Sequence, residues 1–302
     1  MDDLLTGILS PLLRRIKRDN TLMLSIRKEY INIYYRGGNI MRIVRKSNSY
    51  NVFFDDEYDL SKEKINSLRQ NLPLVVNNIS DIEIWISNIP TLKEMMDIWL
   101  TKHPKLEREF QQLVERENNR SSISNETEYF VTDIEITDAS IGARFDITTI
   151  KWSASKRKDG RSCKPAFIEM KYADDALGGK SGLIKHMKDF SALINNTQNY
   201  RILLATILKQ FNQLDQLGLI KINHGKTNST PILEGNDIPE FIFLVANHNP
   251  RSKKLKSILQ DPSFTKYINP SKFDLKFYVC SFAGYGLHDK NMFTYNEFIK
   301  LL

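Results

Sequence analysis

The chain has 302 residues, 41% hydrophobic and 26% charged, which suits one large globular domain or two smaller ones. Its formal net charge of +7 favours a phosphate-bearing partner, and the lack of any run of about 18 apolar residues predicts no membrane span. Cys163 and Cys280 lie far apart and outside CxxC spacing, which argues against disulfides or structural zinc and predicts a cytoplasmic protein.

The first hundred residues predict helices around a small sheet. Residues 2–18 repeat apolar side chains at helical spacing, and Pro11 is expected to kink or divide that helix. Residues 21–54 alternate apolar and polar residues and predict a β-meander. Residues 61–71 predict a polar helix, whereas the run VVNNISDIEIWISN fits either a strand or a helix. We therefore predict an N-terminal accessory region over residues 1–100 and a second domain over residues 101–302.

The meander of the accessory region is both aromatic and basic. Aromatic rings can stack on bases while cations hold phosphates, so this face suits nucleic acid. A half-buried sheet with a solvated cationic face explains the same pattern. Contact with DNA, with a protein partner or with a second copy of the chain in a homodimer are open alternatives for this region. The residues concerned are Tyr30, Tyr34, Tyr35, Arg36, Arg42, Arg45 and Lys46.

The second domain predicts alternating helices and strands. Pro90 is expected to open the helix TLKEMMDIWLTKH, and Pro104 the helix PKLEREFQQLVERENN. Strands follow at EYFVTDIEIT, ARFDITTIKW and PAFIEMKYA, then a helix with Ser181 as its N-cap and a second helix near 198–216. The remaining segments are the buried strand EFIFLVANH, a short basic helix, the strand FDLKFYVCSFAGYG and the helix TYNEFIKLL. This order predicts an α/β domain with a mixed sheet.

Two carboxylates and a lysine lie in neighbouring predicted strands. Glu169 and Lys171 are two residues apart and share one strand face, and Asp146 in the preceding strand can reach them. The two carboxylates and the main-chain carbonyl of Met170 are oxygen ligands of the kind that Mg²⁺ or Mn²⁺ binds. Lys171 could stabilise the negative charge of a transition state or orient an attacking water molecule. A buried structural ion pair is the alternative interpretation.

The order helix, three-strand meander, helix, strand, with Asp146 and then Glu169-Met170-Lys171, resembles the PD-(D/E)XK nuclease superfamily over about residues 104–282. Phe145 stands where the superfamily name has proline. The resemblance implies a restriction-endonuclease-like αβββαβ core and a Mg²⁺- or Mn²⁺-dependent deoxyribonuclease used in restriction, defence or repair. It also implies a metal-binding glutamate from the first helix. Of Glu107, Glu109, Glu115 and Glu117 we choose Glu109, as a catalytic residue and metal ligand.

Basic residues flank these motif strands. We expect Lys156, Arg157, Lys158 and Arg161, in the connection between the second and third strands, to grip DNA beside the active site. A solvated loop is the alternative. Lys180, Lys185 and His186, before and within the next helix, are further candidates for nucleic-acid contact. Asp133 and Glu135 in the first strand are either extra metal ligands or residues of a sheet edge.

Two other classes of function fit the same sequence. One is a non-catalytic nucleic-acid-binding module that keeps the nuclease-like fold, and it should bind DNA without a metal site that depends on Asp146. The other is a protein-interaction module that docks through the aromatic meander, and it should not bind DNA at low salt.

Overall fold

The computed structural model describes residues 1–59, 71–121, 127–223, 229–280 and 284–302. The chain forms two compact units, Met1–Gln112 with Gln216–Leu219, and Leu113–Asp215 with Ile220–Leu302. The boundary therefore follows Gln112, inside a helix, and not residue 100. The helix predicted over 61–71 falls on residues outside the described ranges, apart from residue 71.

The described residues of unit 1 form a five-stranded antiparallel sheet and three helices before the helix in which the unit ends. Helices α1 and α2 are separate, and Pro11 lies in the first turn of α2, where a missing N–H costs nothing. The alternation over residues 21–54 gives strands β1 to β4, so the predicted meander is confirmed. The elements are α1 (Asp2–Leu5), α2 (Ser10–Arg18), β1 (Leu22–Ile26), β2 (Tyr30–Tyr35), β3 (Gly38–Arg45), β4 (Tyr50–Phe53), β5 (Val75–Val76) and α3 (Ile79–Lys102).

Helix α3 corrects the expectation that Pro90 opens a helix. It starts eleven residues earlier, at a capping box formed by Asn78 and Asp81, and Pro90 lies in its interior. Buried residues at helical spacing continue on both sides of the proline, at Ile82, Trp85, Leu92 and Met96. Burial of that continuous stripe outweighs the one backbone hydrogen bond that proline removes. The ambiguous run after Pro73 is therefore mostly helical.

Unit 2 is built on a six-stranded mixed sheet in the order β11-β10-β9-β8-β7-β6. Strands β6, β7 and β8 form an antiparallel meander, and β9 pairs in parallel with both β8 and β10. All seven residues of β9 are buried, as its apolar run predicts. The strands are β6 (Tyr129–Asp138), β7 (Ala143–Lys151), β8 (Lys164–Tyr172), β9 (Glu240–Ala246), β10 (Asp274–Val279) and β11 (Phe293–Thr294).

The helices that follow β8 and β9 contribute aromatic side chains to the core of unit 2. The Phe190 ring stacks on Phe241 at 4.1 Å between centroids and also contacts Phe167. The first of these helices begins at Leu183 with Gly182 as N-cap, one residue after the predicted Ser181. The helices after α3 are α4 (Leu106–Glu115, continued by a π-helical turn over Arg116–Arg120), α5 (Leu183–Asn195), α6 (Thr197–Gln216), α7 (Lys254–Gln260), α8 (Pro262–Thr265) and α9 (Tyr295–Leu301).

The fold is thus mixed α/β, as the sequence predicts. Of the helices built from the described residues, none combines the length and apolar character that crossing a bilayer requires. Both cysteines are buried free thiols.

Candidate functional site

The structure brings Asp146, Glu169 and Lys171 together where β7 and β8 stop pairing. The last paired residues are Ile147 and Ile168. Just beyond them, the Met170 N–H donates to Oδ2 of Asp146 over 2.9 Å. The Asp146 carboxylate therefore accepts the hydrogen bond that a main-chain carbonyl of β7 would accept in a regular ladder. This contact directs the Asp146 side chain toward β8. We call this end of the β7–β8 pair the site end, and the end joined by residues 152–163 the hairpin end.

The two carboxyl groups at the site end lie against each other. They lie close enough to interact directly. Burial raises the pKa of Asp146 well above its ordinary value, the like charge of Glu169 raises it further, and Lys171 opposes both. The Lys171 ammonium lies 3.9 Å from Oδ2 of Asp146, and its side chain is only 4% exposed. One buried cation thus stands against two carboxyl groups.

His186 on α5 contacts Glu169, which departs from its predicted contact with DNA. Its Nδ1 lies 3.1 Å from Oε2 of Glu169, and its Nε2 lies 3.1 Å from the carbonyl oxygen of Ser181. Burial, with the nearby charge of Lys171, lowers the pKa of His186 to about 4, so the ring is neutral near pH 7. A neutral ring has one N–H for two neighbouring oxygens, so His186 and the carboxyl pair share a limited set of protons.

The acidic residues of β6 are separated by an irregular backbone. The register of the pairing between β6 and β7 shifts between Val131 and Asp133. Glu135 has a positive φ of 51°. Asp133 is fully buried and accepts a 2.7 Å hydrogen bond from Gln210 of α6, so it serves the core. Glu135 lies close enough for its charge to raise the pKa of Asp146. Of the two residues, Glu135 therefore belongs to the site end.

Glu109, chosen from the resemblance as a catalytic residue and metal ligand, is engaged in a salt bridge with Arg36, and that choice stays a prediction. It belongs to unit 1, where its two carboxylate oxygens accept from Arg36 at 2.9 and 3.1 Å. Arg36 also contacts Asp97 at 2.9 Å, so the pairing is part of an ion network. This network was not visible in the sequence because it joins the β2–β3 turn to a helix some seventy residues later.

The basic connection between β7 and β8 does not lie beside the motif residues. Lys151 pairs with Lys164 at the hairpin end, five residues from Glu169 along β8, or about 17 Å at 3.3 Å per residue. Lys156, Lys158 and Arg161 are exposed at that end. The loop that joins two antiparallel strands lies at one end of the pair, and the free ends of the strands lie at the other. Asp146 and Glu169 lie near the free ends, away from the connecting loop.

Arg157 in this connection is structural. It is 4% exposed and donates to the main-chain carbonyls of Trp152 and Thr127 at 3.0 and 2.7 Å. The connection is also held by a neighbouring segment, because Ile232 N–H donates to the Gly160 carbonyl, and a Cβ at Gly160 would lie 1.9 Å from the Thr230 oxygen. Arg157 is therefore not free to contact DNA, whereas the exposed side chains of Lys156, Lys158 and Arg161 agree with the solvated alternative.

The other predicted basic residues follow β8 and lie at the site end. Lys180 is exposed, and Lys185 is exposed and paired with Asp189 on the same helix. The parallel pairing of Tyr172 with Ala246 also brings the segment after β9 to this end. That segment carries Arg251, Lys253 and Lys254, whose location the sequence did not settle.

The hairpin end has its own charge cluster, centred on the buried Glu240. Glu240 accepts from the Tyr129 hydroxyl at 2.6 Å and from Lys151 at 2.7 Å. Lys151 also donates to Asp289, which lies 3.8 Å from Lys276. A polar cavity of about 310 Å³ opens beside this cluster. Here each carboxylate faces a cation.

The aromatic meander of unit 1 is partly used for internal contacts. Tyr34 is buried, and Tyr35 donates to Asp97 at 3.0 Å. The Arg42 guanidinium covers the ring of Tyr30, 3.9 Å from its centroid. The half-buried-sheet interpretation therefore accounts for Tyr34 and Tyr35, and nucleic-acid contact by the exposed Arg42 stays a prediction.

No group of three or more His, Cys, Asp or Glu side chains is arranged to hold a metal ion in the described part of the chain. Magnesium commonly takes only one or two protein carboxylates and fills its other positions with water and phosphate oxygens. Asp146 and Glu169 fit that requirement as a pair. Comparisons with protein-family models, with curated proteins and with solved structures found no match to this chain.

Proposed function

We propose that unit 2 is a Mg²⁺- or Mn²⁺-dependent phosphodiesterase that cleaves DNA, with Asp146, Glu169 and Lys171 as its catalytic residues. The observation that carries the proposal is the close pair of Asp146 and Glu169 beside buried Lys171. Perturbed carboxyl groups of this kind cluster at functional sites. A pair retained for stability alone would be expected to face cations, as Glu240 does at the hairpin end.

Asp146 and Glu169 would hold the metal ion. Two carboxyl groups held close together in a buried place would be stabilised by a cation bound between them. In an extended strand the N–H and C=O of one residue point to the same neighbour, so the Met170 carbonyl points toward β7 and Asp146 as its N–H does. When bound, the metal would polarise the scissile phosphate and lower the pKa of a water molecule.

Lys171 supplies the fixed positive charge of the site. Its ammonium is a compact point charge, and burial strengthens its electrostatic effect on a nearby phosphate. We assign it to the charge that develops on the phosphate in the transition state and to orienting the attacking water. His186 packs against Glu169, with its Nδ1 3.1 Å from Oε2 of Glu169 and its Nε2 3.1 Å from the Ser181 carbonyl oxygen, and so limits where the Glu169 side chain can move.

The order of elements supports the restriction-endonuclease-like assignment. Meander β6–β8, helices α5 and α6, and strand β9 follow in the order that the PD-(D/E)XK resemblance implies. The aspartate lies in the second strand of that meander and Glu169-Met170-Lys171 in the third. This agreement of topology with motif position favours a nuclease over other metal-dependent hydrolases.

The test is cleavage of DNA by purified protein with Mn²⁺ or Mg²⁺, compared with the Asp146→Asn and Glu169→Gln variants. We expect each variant to lose at least about 10³-fold in rate, since each removes a charge that the transition state requires. Glu240→Gln is the matched control, because it alters a buried carboxylate of the same sheet at the hairpin end. It should retain the parent rate.

Cleavage that persists in both site-end variants would overturn the proposal. Calorimetric titration with Mn²⁺ separates the alternatives further. Loss of Mn²⁺ binding in Asp146→Asn supports the assigned metal ligands. Metal-independent DNA binding without cleavage by the parent protein would instead identify a binding module.

A further inference from the structure

Two loops leave the site end side by side. One follows β8 and the other follows β9, and the Ala173 N–H donates to the Ala246 carbonyl at 2.9 Å where they separate. Each loop begins with a non-glycine residue at positive φ, Ala173 at 61° and Asn247 at 49°. Such conformations persist when surrounding contacts enforce them, and they concentrate at functional sites. Both loops thus turn away from the sheet at the same place.

Asp174 ties the two loops to each other. Its Oδ1 accepts from the Asn249 N–H at 2.9 Å, and its carboxylate is also hydrogen-bonded to Ser252. The aliphatic part of Lys254 lies over the first loop, since a Cβ at Gly178 would be 3.6 Å from its Cε. The first loop is itself tight, because a Cβ at Gly182 would lie 2.6 Å from the Gly178 backbone. The loops therefore form one connected surface.

This surface is strongly cationic. Its side chains Lys180, Arg251, Lys253 and Lys254 are all exposed. The acidic residues within the two loops are Asp174, which the second loop engages, and Asp175. Cations at fixed positions beside a phosphodiester site attract the phosphates of a nucleic-acid strand and release its counterions.

We propose that these two loops bind the sugar-phosphate backbone of the substrate DNA and that Asp174 is a positioning residue that holds the second loop against the first. This inference rests on the proposed function of the site end. It replaces the connection at 152–163 as the expected backbone contact, since that connection lies at the other end of the same strands.

The experiment measures binding of a short fluorescein-labelled DNA duplex by anisotropy over ~50–200 mM KCl. All proteins carry Glu169→Gln, so binding is read without cleavage. The site-end variant is Arg251→Gln/Lys253→Gln, and the matched control is Lys156→Gln/Lys158→Gln at the hairpin end. Both remove two exposed charges.

We expect the site-end pair to reduce the slope of log K against log salt by about 1.8, or 0.9 for each lost phosphate contact. The hairpin-end pair should leave the slope unchanged. Equal loss in both pairs, or an unchanged slope in the site-end pair, would overturn the inference. Because turnover is absent from this assay, a failure of the proposed cleavage does not alter its outcome.

The role of Asp174 is tested by Asp174→Ala and Asp174→Asn in the same assay. The alanine variant should bind DNA several-fold more weakly, because it loses the acceptor for Asn249 and Ser252. The asparagine variant keeps an acceptor oxygen of the same length and should restore binding. If both variants bind like the parent, or if asparagine restores nothing, Asp174 does not position the loop through this bond.

Discussion

The two ends of the β7–β8 pair use the same residue types in opposite ways. At the hairpin end, Glu240 is held by the Tyr129 hydroxyl and by Lys151, and Lys151 also reaches Asp289. At the site end, the Asp146 and Glu169 carboxyl groups contact each other, and the Lys171 ammonium stays 3.9 Å from the nearer oxygen. In one cluster each carboxylate faces a cation, and in the other two carboxyl groups face a single cation.

We infer from this difference that the hairpin-end cluster is structural and that the site-end cluster serves the proposed function. Buried charges that are fully paired need no ligand, although their net stabilisation is small because desolvation opposes the attraction. Two carboxyl groups forced together cost stability, which natural proteins accept where the strain is useful. The predictions below test this contrast in pairs of variants, one from each end.

The largest expected contrast is between Lys171→Met and Lys151→Met. Lys171→Met should lower kcat for DNA cleavage by about 10²–10⁴-fold, the range for loss of one positioned acid–base group. Lys151→Met leaves the buried Glu240 without its cation, so the free energy of unfolding should fall by about 3–5 kcal/mol. Initial rates and urea unfolding measure the two effects.

Each of these lysine variants serves as the other's control. The folded fraction of Lys151→Met should cleave DNA at the parent rate, because the altered group lies at the hairpin end. A folded Lys151→Met protein as inactive as Lys171→Met would remove the distinction between the two ends.

A smaller effect is expected from the metal on stability. Mn²⁺ at 100 times its Kd should raise the free energy of unfolding of the parent by about 2.7 kcal/mol. Asp146→Asn should lose this increase, and Glu240→Gln should keep it.

With the metal chelated, Asp146→Asn should be at least as stable as the parent near pH 8, since the amide removes repulsion between the carboxylates. Equal Mn²⁺ stabilisation in Asp146→Asn and the parent would contradict the assigned site.

The smallest effect concerns Asp289 at the hairpin end. Burial alone would raise its pKa, but the hydrogen bond from Lys151 and the charge of Lys276 outweigh burial and hold the pKa of Asp289 below its ordinary value. Its contribution to stability is therefore fully present above the unfolded pKa of about 3.9 and is lost as pH falls through the lower folded-state pKa.

Asp289→Asn tests whether the ionised Asp289 carboxylate stabilises the folded protein. The side chain is 46% exposed, so solvent screening should keep the loss near pH 7 below about 1 kcal/mol. Urea unfolding over a pH series should show the difference between parent and variant shrinking as the solution becomes more acidic. A difference that grows toward low pH would show that Asp289 is not stabilised by these lysines.

The local features of unit 2 could be predicted from the amino-acid sequence. Alternation and apolar runs predicted β6 to β9, and the spacing of Glu169 and Lys171 predicted that they share a strand face. These features depend on residues within a few positions of one another, so strand periodicity is enough to predict them. The capping box at Asn78 and Asp81 was also present in the sequence, but Pro90 drew the predicted helix start away from it.

Which charged residues come together could not be predicted, because it depends on how the strands pair. Parallel pairing of β8 with β9 carried Arg251 and Lys253 to the site end, and antiparallel pairing of β7 with β8 carried Lys156 and Arg161 away from it. The contact of Glu109 with Arg36 likewise depends on packing between distant segments. Strand order and direction follow from burial and hydrogen bonding over the whole sheet, and no local spacing records that choice.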